Sequence, residues 1–166
     1  TLFTHAARSA FASEFIALCH QSDSSHSRAE ATIVDDDSIF KHWFADEVQG
    51  EYFAKFFSGQ VQRTVYGFCV NLAGMVIKNT FYPLVFSLVK RSEQSKDILQ
   101  ANLIEIKTYL DSLIEQANKK KDSQIQLPHL YLSVDSGLSG PDIINWCEGN
   151  GITFIGVADK THVFKT

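Results

Sequence analysis

Sulfur chemistry has little to work with in this chain of 166 residues, which carries three cysteines and one methionine. Cys19, Cys69 and Cys147 are odd in number, far apart and without metal-ligand spacing. That pattern speaks against a disulfide framework or a zinc site, and suits reduced thiols in a cytoplasmic protein. The six histidines, His5, His20, His26, His42, His129 and His162, show no close pairing, so no imidazole ligand set is expected. Positive charge is short as well: 15 Lys and Arg against 19 Asp and Glu leave a net charge of −4. Dedicated nucleic-acid-binding modules usually have a basic footprint, which is missing here. An enzyme that meets nucleic acid through a local patch beside an acidic metal site stays open. Apolar runs fall short of the roughly 18 residues that span a bilayer, so no membrane contact is expected. The first residues lack the basic region and apolar core of a signal peptide.

Phenylalanine is abundant, with 13 residues, inside an ordinary balance of 45% hydrophobic and 20% charged residues. The chain is long enough for one domain with a real core. Residues 1–30 read as an N-terminal helix and polar connector, because Phe3, Ala7, Phe11 and Phe15 recur at four-residue steps before the Ser-rich "QSDSSHSRAEA". "ATIV" reads as a short buried strand. From Ser38 to Gln62 the aromatics, Trp43 and Phe44 among them, follow no period, which predicts a long loop with one helical turn. "RTVYGFCVNLAGMVIKNTFYPLVFSLVK" predicts a hairpin whose turn is Ala73-Gly74, with a bend or sheet edge at Pro83. Leu99, Leu103, Ile106, Leu110 and Leu113 give one apolar face to a helix that Lys119, Lys120 and Lys121 close. "HLYLSV" is a strand ending at Asp135, Ser139-Gly140-Pro141 opens a helix that Gly149-Asn150-Gly151 stops, and "ITFIGVA" is a last strand. A hairpin followed by alternating helix and strand implies an α/β fold, a mixed sheet with flanking helices.

Two of those strands run into acid. "TIVD" leads into Asp36 and Asp37, and "LSVD" leads into Ser136-Gly137. Aspartate suits strands poorly, and adjacent carboxylates repel one another unless something absorbs their charge. Side chains just beyond strand ends are exposed yet held by a rigid scaffold, so Asp35 and Asp135 could meet if their strands are neighbours. Clustered oxygen ligands without His or Cys suit Mg²⁺ or Mn²⁺. The bland alternative for either residue alone is a helix cap or turn former.

At these blocks, "IVDDDS", the hairpin and "LYLSVDSGLSGPDIINWCEGNGITFIGVADK", the sequence resembles the DDE transposases of bacterial insertion sequences. The resemblance covers about residues 31–160 and implies a ribonuclease H-like catalytic core, 31–166 here. It implies that Asp35 and Asp135 are the two catalytic, metal-binding acids, with Asp36 assisting and Asp37 standing where the family has Thr. The implied chemistry is two-metal phosphoryl transfer with Mg²⁺ or Mn²⁺, cleaving and joining DNA at transposon ends and target, in a full-length protein acting as a homodimer. The family's third acid, a Glu on a later helix, has no match; Glu148 and Asp159 both fall in the wrong element. The expectation is therefore an incomplete core with little activity of its own. Two rivals stand beside it. A haloacid-dehalogenase-type phosphatase would use Asp35 as nucleophile and Asp37 as general acid with Mg²⁺. A non-catalytic ribonuclease H-like binding module would need neither. Lys55, Arg63, Lys78, Lys90 and Arg91 are the basic residues that could follow a phosphate backbone, though they are scattered.

Overall fold

The computed structural model of the chain describes residues 2–24, 29–41, 50–58, 62–90, 92–120, 125–135 and 138–156. His26, His42, Trp43, Phe44, Arg91, Lys121, Ser136, Gly137, Asp159 and His162 lie outside the described residues. In chain order the elements are α1 (Leu2–Ser24), β1 (Glu30–Lys41), β2 (Ala54–Ser58), β3 (Arg63–Ile77), β4 (Thr80–Val89), α2 (Ser95–Lys120), β5 (His129–Val134), α3 (Pro141–Gly149) and β6 (Ile152–Gly156). The strands form one mixed sheet in the order β2-β3-β1-β5-β6, with β4 also paired to β3. Pairing is antiparallel between β1 and β3, β2 and β3, and β3 and β4. It is parallel between β1 and β5 and between β5 and β6. No helix among the described residues is long and apolar enough to cross a membrane.

The expected apolar stripes do what their spacing says. Leu99, Leu103, Ile106 and Leu110 of α2 are buried in one cluster with Ile33, Met75, Leu84 and Leu132 from four strands. Phe11 and Phe15 of α1 belong to the same cluster and stack at 5.3 Å, so α1 is part of the core. On α3, Ile143 and Cys147 complete it; Gly140 is the N-cap, Pro141 starts the helix, and Gly151 follows it at φ 68°. Cys19, Cys69 and Cys147 are all buried and none is joined in a disulfide, and burial pushes the Cys69 and Cys147 thiols up to about 11. Such thiols stay protonated and inert at neutral pH.

Three expectations along the sheet change. β1 does not end at Asp35 but runs six residues further, to Lys41, each paired to β3. The stretch read as loop contains β2, which pairs with the first residues of β3 from Ala54↔Gly67 to Ser58↔Arg63. The hairpin turn is not Ala73-Gly74 but Lys78-Asn79, at φ 48° and 66°. Two consecutive positive φ values are what a two-residue hairpin turn with the right twist requires.

Gly74 answers a different need. The β3–β4 register shifts between Ala73 and Gly74, leaving Leu84 without a partner residue between Pro83 and Val85. Pro83, which has no N–H for a ladder, sits at this irregularity. There the strands approach so closely that a Cβ on Gly74 would lie 2.2 Å from the Tyr82 carbonyl oxygen and 2.8 Å from the Phe81 ring. Leu84's carbonyl accepts hydrogen bonds from Arg8 Nε at 3.2 Å and Nη2 at 3.0 Å, which ties α1 to the bulge. Gly74→Ala should therefore destabilise the fold by about 1–3 kcal/mol in urea unfolding, as overpacking does. Gly149→Ala, where a Cβ meets nothing within 4 Å, should be close to neutral; equal losses would remove the steric account.

Candidate functional site

Strand alternation divides the three aspartates of β1. Ile33 and Asp35 are buried toward the helices, Asp36 is exposed, and Asp37 returns to Asp35's side half-buried. Asp35 is only 4% exposed. Its Oδ1 accepts a hydrogen bond from Asn71 Nδ2 at 2.8 Å, and its Oδ2 accepts one from Asn102 Nδ2 at 2.8 Å. Asn71 Nδ2 also donates to Asp37 Oδ1 at 2.8 Å, and Asn102 Nδ2 donates to Asn71 Oδ1. Asn71 stands directly across from Asp37 on β3, and Asn102 comes from the buried face of α2. Asp36 takes no part; its Oδ1 accepts the Asp37 backbone N–H at 2.9 Å.

Burial holds the Asp35 carboxyl above its ordinary value of 3.8. The Asn102 and Asn71 hydrogen bonds work against that rise, and the charges of Asp37 and Asp36 add to it. A carboxylate that keeps so little water needs the two amides to remain tolerable as an ion.

Asp135 is exposed, one residue past β5. β5 runs parallel to β1 with Val34 beside Ser133, and continuing that register brings Asp36 alongside Asp135. The expectation that the two acid-bearing strands are neighbours is met. Asp36, Asp37 and Asp135 all line one open polar pocket of about 520 Å³, whose other walls include Lys55, Lys90, Glu93 and Ser95. Asp35 itself does not line it. Lys55 lies over the Tyr66 ring at 5.0 Å, and Lys90 Nζ is 2.7 Å from Glu51. Among the described residues, no three His, Cys, Asp or Glu side chains are grouped as a metal-ion site.

Sequence reasoning missed the two asparagines. Each carried a signal: Asn71 interrupts the apolar "FCVNLAGMVI", and Asn102 falls on the α2 stripe next to Leu103. A polar residue at a position the period assigns to the core needs a partner there.

Compared with family models and with curated proteins, the chain matches none.

The buried carboxyl has a consequence for stability. The folded chain holds the Asp35 proton more tightly than the unfolded chain, so this contribution is complete below pH 3.8 and drains away as pH rises through the folded value. The stability of the native chain relative to Asp35→Asn should therefore fall as pH rises from 3.8 through the higher folded value in paired urea titrations. A difference that rises with pH would mean that the amides outweigh burial.

Proposed function

We propose that this chain is the phosphoryl-transfer core of a DNA transposase, built on a ribonuclease H-like sheet, with Asp35 and Asp135 as its paired acids. One juxtaposition supports the reading: Asp35 lies on the central strand, and Asp135 lies just beyond the end of its parallel neighbour. The order of elements agrees with the resemblance, an antiparallel hairpin on one side of β1 and helix-linked parallel strands on the other.

The donor set fits Mg²⁺ or Mn²⁺ in kind. It consists of carboxylate oxygens, and each Asp35 oxygen that takes an amide hydrogen keeps a further lone pair. Asp35 and Asp135 would hold the metal, with Asp36 at hand as the resemblance implies. Asp37, on Asp35's face and bonded to the same Asn71 amide, lines the pocket with Asp36 and Asp135, whereas Asp35 lies behind that lining. Bound metal would supply charge stabilisation and an activated oxygen nucleophile for strand cleavage and joining. The chain's own contribution is position: the sheet fixes the two strands, and Lys55 and Lys90 give the pocket cations that can face a phosphodiester backbone.

The phosphatase reading expects a helical crossover after the first strand, whereas among the described residues the next element after β1 is β2, and β1 pairs antiparallel with β3. Beryllofluoride distinguishes the two, since only the phosphatase would trap it on Asp35.

Millimolar Mn²⁺ should raise the melting temperature of the chain in proportion to the logarithm of its excess over Kd. Asp35→Asn and Asp135→Asn should each abolish that rise. Asp111→Asn should keep it, because Asp111 is exposed on α2 and pairs with Lys107 at 2.6 Å. Stabilisation that survives in both site variants would refute the assignment. Metal-dependent nicking of supercoiled plasmid by the full-length protein separates the catalytic reading from the binding-module one.

A further inference from the structure

We propose that Asn71 and Asn102 are positioning residues: a neutral amide clamp that holds Asp35 as a cation ligand. The inference rests on the metal-dependent reading above. Four residues are both buried and polar or charged among the described residues, Asp35, Asn71, Asn102 and Ser139, and three of them form this one network. An apolar trio of similar volume would serve stability as well or better, so the network asks for another reason.

Its geometry supplies one. Asn71 is 2% exposed and Asn102 is 5% exposed, and they come from a strand and a helix. Neither side chain can drift without breaking core packing. All four amide hydrogens are used: two from Asn71 reach Asp35 and Asp37, and two from Asn102 reach Asp35 and Asn71. The last bond sets the direction of the Asn71 amide. With its oxygen facing Asn102, its nitrogen must face the two carboxylates.

Neutrality is the telling feature. A buried carboxylate is most simply satisfied by Lys or Arg, with a charge-assisted hydrogen bond of roughly twice the usual strength. The ion pairs among the described residues join Arg8 to Glu105, Lys90 to Glu51, Lys107 to Asp111 and Lys119 to Glu115, and none includes Asp35. A fixed cation there would neutralise the carboxylate and repel an arriving divalent ion. Two amides orient the group and leave its full charge available. Partners of this kind around a metal-binding carboxylate change affinity by about 10- to 100-fold when removed.

The experiment measures Mn²⁺ alone binding to the chain, by the EPR signal of free Mn²⁺ and by calorimetry. Asn102→Ala and Asn71→Ala should each weaken binding by about 10- to 100-fold. Asn102→Ser, which keeps one hydroxyl donor, should fall between Ala and the native residue, and it decides the matter if the alanine variants do not fold. Ile106→Val on the same helix should lower stability while leaving Mn²⁺ affinity unchanged, which separates positioning from general loosening. Native-like affinity in the folded asparagine variants would overturn the clamp and leave the metal reading standing. No Mn²⁺ binding by the native chain would overturn both.

Discussion

A carboxylate with almost no water around it sits in the middle of the central strand, and the surrounding structure has to make that tolerable. Two amides do so, and each arrives only if a long-range contact is right. Asn71 faces Asp37 because β3 pairs with β1 in one register; a one-residue slip would turn its amide to the other face of the sheet. Asn102 reaches Asp35 because Leu99, Leu103 and Ile106 seat α2 on that same sheet face. Local backbone preference alone would not keep three aspartates in an extended strand; their partners do.

The register has its own supports. The Lys78-Asn79 turn fixes one end of the β3–β4 pair, and the bulge opposite Gly74 fixes its middle. Arg8 reads that bulge directly, bonding the carbonyl of Leu84, the residue the register leaves without a partner, and it also pairs with Glu105 of α2. Tyr109, one turn further along α2, returns a hydrogen bond to the Arg8 carbonyl at 3.0 Å. The N-terminal helix, the bulged hairpin and α2 are thus joined around one guanidinium. That junction lies on the helix that carries Asn102, so the seating of α1 and the geometry at Asp35 are mechanically linked through α2.

How much of this was legible follows from the range of the forces involved. The α2 stripe, the Pro141 start and Gly149-Asn150-Gly151 stop of α3, and the strand before Asp135 are written in local periodicity and capping, and they were readable. Ala73-Gly74 misled because glycine serves tight turns and close strand contacts alike, and only the partner strand tells which. Lys78-Asn79 lacks the usual glycine of such a turn, so the true reversal left a weak local mark. β2 and the far half of β1 are extended because β3 lies between them as a template, information that sits outside either segment. At the candidate site, the acids stood out as chemistry, whereas the asparagines looked like minor defects in apolar patterns.

The charge around the pocket sets an order of events for the proposed chemistry. Its walls carry Asp36, Asp37, Asp135 and Glu93 against Lys55 and Lys90, and Lys90 is already engaged by Glu51. A polyanion approaching these groups alone meets net repulsion at short range, where screening is weakest. A divalent ion on the carboxylates would offset that excess of negative charge and turn the lysines from counterweights into partners for phosphate. On this reading metal binding precedes DNA engagement, and the neutral amides at Asp35 matter most in that first step. By that proposal they would hold the buried carboxylate in place without spending the charge that draws a cation in.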